Sequence, residues 1–224
     1  MTFSIVARSP DSSHFGVAIA SSSPAVAARC AHARAGVGAV ASQNITDPRL
    51  GQQVLDALAR GGRTDEALNE TLRATPFAAY RQVLAIGVTG APVIHSGGHA
   101  LGVVGSATGT DASAAGNMLA RADVPEAMVE AFAATRGHLG ARLLQALLAG
   151  LERGGEAGPI HSAGLLIVRE LSWPIVDLRV DWTPGDPVAE LLSAWQVYLP
   201  QIDDYVRRAL DPAAAPRFGV PGDP

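Results

Sequence analysis

The chain has 224 residues, 48% hydrophobic and 17% charged, which suits one folded domain with a large core. Its net charge of −4, without a basic cluster, argues against a nucleic-acid partner. No apolar run reaches the length of a membrane span and no secretory leader pattern opens the chain, so we expect a cytoplasmic protein without membrane contact. Cys30 is the only cysteine and lysine is absent, which excludes an internal disulfide, a cysteine zinc site and lysine-based catalysis.

Hydrophobic patterning in the first half predicts hairpins of short strands with two helices between them. The predicted strands cover residues 3–8, 15–20, 36–42, 82–88 and 92–95, with a further extended run over 101–104. The predicted helices cover 50–60 and 64–75, and residues 25–32 fit either a short helix or an irregular crossing.

The second half begins with a stretch of small residues over 105–116, after which Asn117 is predicted to open a short helix that runs to about 121. The other predicted elements are helices over 124–135, 139–151 and 187–210, a glycine-rich loop over 153–159, and strands over 161–168 and 175–180. Pro200 suggests a kink in the last helix.

Hairpins dominate this order and regular β-α alternation is missing, which argues against a doubly wound parallel sheet. We therefore predict an α+β fold of two packed, mostly antiparallel sheets with helices on their outer faces. One domain is predicted over residues 1–210, followed by a loose, flexible tail over 211–224 that is rich in Pro, Ala and Gly.

The start of the chain, Met-Thr followed by a strand pattern, is a candidate catalytic feature. A small second residue permits removal of the initiator methionine, so the mature chain is expected to begin at Thr2. A terminal threonine carries a nucleophilic hydroxyl and, in its own α-amine, a base. Many chains begin with Met-Thr without catalytic meaning, so this pattern alone carries little weight.

Several segments, in the same order along the chain, resemble the bacterial domain of unknown function 1028 proteins. They cover residues 2–8, 16–21, 33–43, 48–51, 116–119, 162–163, 177–181, 186–187 and 190–191. The resemblance implies the N-terminal nucleophile (Ntn) hydrolase superfamily, with a four-layer αββα sandwich and a catalytic residue at the mature N-terminus, here Thr2. Superfamily members hydrolyse amide bonds through a covalent acyl-enzyme.

The chain departs from that family pattern in two segments, 158–162 and 96–99, which we expect near the rim of a pocket. The charge-partner lysine of proteasome-type members is also missing. The identity of the substrate therefore does not transfer from relatives.

An acyl-transfer site needs hydrogen-bond donors for the developing oxyanion. The candidates are the side chains of Asn117 and Gln43 and the backbone amides at Gly116 or Gly97-Gly98. The alternative for Asn117 is a helix N-cap.

Three further residues are assigned to the site with open alternatives. Arg34 could hold a substrate carboxylate or lower the pKa of the terminal amine, or else form an ion pair with Asp177 or Asp181. Ser21 and Ser22, at the end of the second strand, could orient the Thr2 amine and contact the substrate, or serve only as turn formers.

His161 and His99 are candidates for contact with the substrate, and His161 could also relay a proton. Together with His95 they could form a three-histidine metal site, but the glycines between His95 and His99 argue against it, and we expect no metal.

The leading hypothesis is a cofactor-independent hydrolase of a small-molecule amide or cyclic imide. Its alternatives are an inactive binding or assembly protein with the same fold, and a histidine metal hydrolase. Apolar helix faces make a homodimer or higher homo-oligomer plausible.

Overall fold

The computed structural model describes residues 2–220, so Met1 and residues 221–224 of the predicted tail lie outside the described residues. The strands are β1 (Thr2–Arg8), β2 (Phe15–Ser21), β3 (Ala31–Arg34), β4 (Gly38–Asn44), β5 (Arg81–Gly87), β6 (Val93–Ser96), β7 (Gly105–Thr108), β8 (Ala112–Asn117), β9 (Ser162–Val168) and β10 (Val176–Val180). The helices are α1 (Val26–Cys30), α2 (Arg49–Ala59), α3 (Thr64–Arg73), α4 (Val124–Ala134), α5 (Leu139–Glu152), α6 (Pro187–Tyr198) and α7 (Ile202–Leu210).

Within residues 2–220 the strands form two antiparallel sheets. Sheet A has the order β10-β9-β2-β1-β8-β7 and sheet B the order β3-β4-β5-β6. The strand that begins at Thr2 therefore lies in the middle of sheet A, hydrogen-bonded on both sides. The predicted α+β class with antiparallel sheets is confirmed.

Alternation along the strands produces four layers. In β1, Phe3 and Ile5 point to the core beneath the α4 and α5 helices, whereas Val6 points into the apolar layer between the sheets. The outer face of sheet B is covered by α2 and α3. Val54, Leu55 and Leu58 of α2 and Ala67 and Leu68 of α3 are buried in the core of this layer. The order helix, sheet, sheet, helix is the predicted αββα sandwich.

The helix predicted over 117–121 is wrong. Asn117 is the last residue of β8, and the stretch of small residues before it forms β7 and β8. Alanine and glycine are weak strand formers, which hides β8 from a propensity argument. Small residues are needed there because a Cβ on Gly105 or Gly116 would clash with Ala122 or Leu119.

Smaller differences occur elsewhere. The segment 25–32 contains helix α1 and then leads into β3, a strand that the prediction lacked. The extended run over 101–104 does not pair as a strand. The predicted kink is confirmed, since a 3-10 turn at Leu199–Gln201 separates α6 from α7.

Residues just after α7 pack back on that helix. The Arg208 guanidinium lies 3.8 Å from the ring centroid of Phe218 and donates to the carbonyls of Pro216 and Arg217. Across residues 2–220, no helix combines the length and apolarity needed to cross a bilayer.

Gly38 should tolerate substitution poorly because a Cβ there would lie 2.3 Å from the Ile86 carbonyl oxygen. Gly38→Ala is expected to lower the free energy of unfolding by about 1–3 kcal/mol, measured by urea titration. The matched control is Gly98→Ala, which meets no atom within 4 Å and should change stability by less than ~0.5 kcal/mol. Equal effects of the two substitutions would contradict this packing.

Candidate active site

The inner faces of the central strands change from apolar to polar towards one end of the sandwich. In β1 the inward series runs from Val6 to Ser4 and Thr2. The equivalent inward residues at this end of the other strands are polar as well: Ser21 of β2, Gln43 of β4, Gln82 of β5 and Asn117 of β8. These side chains are buried, so their hydrogen-bonding groups must largely satisfy one another.

Thr2 lies in a row of polar side chains that crosses sheet A. It is paired with Asn117 on one side, and its hydroxyl lies 3.3 Å from the Ser21 hydroxyl on the other. Ser21 is in turn paired with Ser162 of β9. Directly opposed residues of antiparallel strands point to the same face, so this row faces the space between the sheets. Thr2 is only 5% exposed.

Three side-chain amides bridge the two sheets beside this row. Gln82 accepts hydrogen bonds from Gln43 (2.8 Å) and Asn117 (3.1 Å) on the same oxygen. The second Gln43 N–H bond goes to the Ala115 carbonyl, and the Gln43 oxygen accepts from Ser4 at 2.6 Å. The amide nitrogen of Gln43 therefore makes both of its hydrogen bonds within this network. Gln82, which sequence reasoning missed, is the hub of the network.

Asn117 keeps unused hydrogen-bonding capacity in this network. Its amide nitrogen donates to Gln82, but its buried oxygen has no hydrogen-bond partner among residues 2–220. It does not cap a helix, because the chain turns immediately after it through Met118 with a φ of 50°. Asn117 is thus held in place on one side and open to a further contact on the other.

A buried carboxylate, Glu156, approaches the row from the loop between α5 and β9. Both of its oxygens accept from the backbone N–H of Ser22, at 3.0 and 3.2 Å. It is 5% exposed. Burial raises the pKa of the Glu156 carboxyl above its ordinary value, and the hydrogen bonds from Ser22 and Ser21 oppose the shift.

Glu156 was not among the residues predicted for the site. The available signal was one acidic residue inside the glycine-rich loop 153–159, which looks like a solvated loop residue in the sequence. Its burial depends on long-range pairing, since its backbone bridges Leu119 and the adjacent Ala157 N–H donates to the Met118 carbonyl.

Residues 2–191 match the model of DUF1028, a family of unknown function. The chain belongs to the DUF1028 family. A solved structure of a DUF1028 protein from Silicibacter pomeroyi is 31% identical, covers 92% of this chain and 90% of its own, and superposes with a TM-score of 0.84. No match was found among curated proteins.

Two more remote solved structures also match. Anbu (ancestral beta-subunit) from Yersinia bercovieri is 14% identical, with 91% of this chain and 97% of that chain covered and a TM-score of 0.42. Thiobacillus denitrificans BPH in complex with epoxomicin is 12% identical, with 75% and 99% covered and a TM-score of 0.37. Both scores are below 0.5, so neither likeness bears on the activity of this DUF1028 protein.

Arg34 lies away from the row in the DUF1028 protein. It pairs with Gly38 at the far end of β4, about 16 Å along the strand from Gln43 at ~3.3 Å per residue. Its guanidinium bonds Asp56 at 2.8 Å on the surface, rather than Asp177 or Asp181. Arg34 therefore lies too far from the row to act on the Thr2 amine.

The histidines are divided between the two sheets. His161 lies near the row, since its backbone N–H donates to the Ser21 carbonyl, but its ring bonds the Thr183 carbonyl and stacks on Trp182. His99 is exposed and lies against Tyr80 near the end of sheet B. Among residues 2–220, no three or more His, Cys, Asp or Glu side chains are grouped to hold a metal ion.

The raised pKa of Glu156 gives a stability prediction. The folded state holds this proton more tightly than the unfolded chain does. The resulting stabilisation is complete below the unfolded pKa and is lost as the pH rises through the folded pKa. Glu156→Gln has no carboxyl to ionise, so this pH-dependent loss of stability is absent. The unfolding temperature of Glu156→Gln should therefore rise relative to that of the wild type as the pH increases from ~4 to ~8.

The control for this measurement is Glu130→Gln, an equivalent substitution on the exposed surface of α4, which should change stability by less than ~0.5 kcal/mol. A difference between Glu156→Gln and wild type that stays constant with pH would contradict the assignment.

Proposed function

We propose that this DUF1028 protein is a hydrolase of a small-molecule amide or cyclic imide, with Thr2 as its nucleophile. The observation that carries the proposal is the placement of Thr2. Its hydroxyl lies in a buried polar row beside Ser21, opposite Asn117, at the start of a strand that is paired on both sides. The αββα layer order supports it, because that is the architecture implied by the resemblance to Ntn hydrolases.

In the proposed reaction, removal of Met1 exposes the Thr2 amine. The Thr2 hydroxyl attacks the carbonyl carbon while the Thr2 amine takes the hydroxyl proton, which the amine later returns to the leaving nitrogen. An acyl ester on Thr2 results, and water releases the acid. In the proposed cycle, the chemistry uses only the groups of this chain and water.

Asn117 is the best candidate for stabilising the oxyanion. It sits directly across from Thr2, and its amide nitrogen, which donates to Gln82, has a second hydrogen to offer. In this proposal Ser21 orients Thr2, and Ser22 and His161 contact the substrate. Gln43 is assigned to the scaffold, because its amide nitrogen donates to Gln82 and to the Ala115 carbonyl.

A binding protein without turnover is the second candidate, favoured by the low exposure of Thr2. A cytoplasmic location, a homodimer or larger homo-oligomer, and contact of His99 with the substrate stay predictions.

The test begins with intact-mass measurement, which should give a chain that starts at Thr2. A panel of amides and cyclic imides should then yield turnover with the wild type. Thr2→Ala should lower turnover at least ~10³-fold, because alanine keeps the amine but has no hydroxyl to acylate.

Thr2→Ser is the matched control, since serine keeps both the small second residue and the nucleophilic hydroxyl, and it should retain measurable activity. Active protein that keeps Met1, or full activity in Thr2→Ala, would contradict the mechanism. Ligand binding without turnover in protein that starts at Thr2 would support the binding-protein alternative.

A further inference from the structure

The three amide side chains of the site differ in how completely they are hydrogen-bonded. The Gln82 nitrogen donates to the Ser96 hydroxyl at 2.9 Å and to the Gly116 carbonyl at 3.1 Å, and the Gln82 oxygen accepts two bonds. Gln43 likewise makes two bonds from its nitrogen and accepts one on its oxygen. Asn117 makes one bond from its nitrogen, and its oxygen has no partner in the part of the chain that the structure describes. The unused hydrogen-bonding capacity of the network therefore lies on Asn117.

The bonds of the network also determine which way round the Asn117 amide lies. The Gly116 carbonyl can only accept, so the Gln82 nitrogen faces it and the Gln82 oxygen lies on the other side of that amide group. The Gln82 oxygen in turn requires the nitrogen of Asn117. Turning the Asn117 amide over would bring two carbonyl oxygens together. The assignment of the unpartnered atom as an oxygen therefore follows from a backbone group.

An unpartnered buried oxygen is costly, so its presence in an otherwise satisfied network calls for a reason. The oxygen belongs to the residue that is paired directly with Thr2, and both side chains project from the same face of sheet A. A donor that arrives with the substrate would satisfy it. A site that keeps a buried acceptor for its ligand rejects ligands without the donor, because the acceptor then stays unpaired.

The planar carboxamide of Asn117 carries its oxygen and one of its two N–H hydrogens along the same edge. If Gln82 accepted that hydrogen, the Gln82 oxygen would lie beside the Asn117 oxygen, and the two like partial charges would repel each other. The other hydrogen is therefore the better one for Gln82. Asn117 then has a complete edge, one acceptor beside one donor, that the network does not use.

We propose that Asn117 is a specificity-determining residue whose unused edge binds a cis-amide edge of the substrate. Its oxygen accepts the substrate N–H, and its N–H donates to the carbonyl that Thr2 attacks. This inference rests on the proposed function and narrows its substrate class. Primary amides, lactams and cyclic imides with an N–H carry that hydrogen and the carbonyl oxygen on one side. Peptide-like secondary amides are trans and carry them on opposite sides, and N-substituted imides lack the hydrogen.

Access to this edge depends on the event that the proposed function already requires. Thr2 and Asn117 are buried, at 5% and 0% exposure. Residue 1 is covalently attached to the Thr2 nitrogen, so its removal takes away the atoms next to the start of β1, where Thr2 is paired with Asn117. The substrate is therefore expected to bind protein that starts at Thr2.

The experiment compares succinimide and glutarimide with their N-methyl counterparts, using protein whose mass shows that it starts at Thr2. Ring opening to the half-amide is followed by liquid chromatography. For a variant that turns over too slowly, calorimetric dissociation constants of the two members of a pair give the same comparison. Hydroxylamine-sensitive acylation of Thr2 by p-nitrophenyl acetate, an ester without an N–H, assays the nucleophile independently. Circular dichroism and the unfolding temperature establish that each variant is folded.

The wild type should open at least one of the two N–H imides and prefer it to its N-methyl counterpart by at least ~10²-fold in kcat/KM, since the methyl compound leaves the Asn117 oxygen unpaired. Asn117→Leu keeps a side chain of similar size without the polar atoms, so the preference should fall below ~10-fold. Asn117→Asp keeps an acceptor oxygen in nearly the same shape. It should retain the preference, although the loss of the donor slows turnover.

The matched control is Ser113→Ala on the same strand. The Ser113 hydroxyl is also buried without a partner among residues 2–220, but it lies opposite Val6 in the apolar layer instead of in the row. Its removal should leave the preference for the N–H imide unchanged. The control thus separates the position of the unpartnered atom on β8 from its presence in the core.

A preference that survives Asn117→Leu would mean that the methyl group is excluded by its size, and it would overturn the inference. Equal turnover of both members of each pair would do the same, as would inactivity towards both imides in protein whose Thr2 is acylated by the ester. If neither the ester nor the imides react at Thr2, the hydrolase function itself is wrong.

Discussion

The mutual hydrogen bonding of buried amides between the two sheets is the interaction on which this site depends. Gln82 joins Gln43 of the neighbouring strand to Asn117 of the opposite sheet through one carbonyl oxygen. Removing Gln82 would leave the donors of Gln43 and Asn117 buried without their shared acceptor, and an unsatisfied buried donor is costly. These bonds fix the relative position of the two sheets at this end, and they thereby fix the position of the row that contains Thr2.

The middle of the layer between the sheets is mostly apolar, in contrast to the polar side chains at this end. Val6, Ala41 and Leu84 fill the middle of the sandwich, and each has a polar side chain two residues away on its strand, towards the end that carries the row: Ser4, Gln43 and Gln82 respectively. The polar positions continue the inward alternation instead of breaking it. The site is thus a terminal extension of the core, where hydroxyls and amides replace methyl groups.

Much of this architecture could be predicted from the sequence, because strands such as 15–20 and helices such as 139–151 carry strong periodic patterns. β8 could not, since Ala112–Asn117 becomes a strand only through pairing with β1 and packing against its neighbours. For the candidate site, Thr2 and Ser21 were predicted from their places at strand ends and from the family resemblance, whereas Asn117 was predicted from its place at the start of a helix that the structure does not contain. Gln82 and Glu156 were missed, because their roles arise from contacts between distant segments that local pattern does not encode.

The pairing of β1 sets the order in which these parts can meet during synthesis. Its first partner, β2, follows within one hairpin, but its second, β8, lies in the latter half of the chain, and Glu156 comes later still. A growing chain emerges with its N-terminus first. Residue 2 would therefore be accessible to processing enzymes on the ribosome well before the segments that enclose it exist, so the proposed removal of Met1 and the burial of Thr2 would be separated in time.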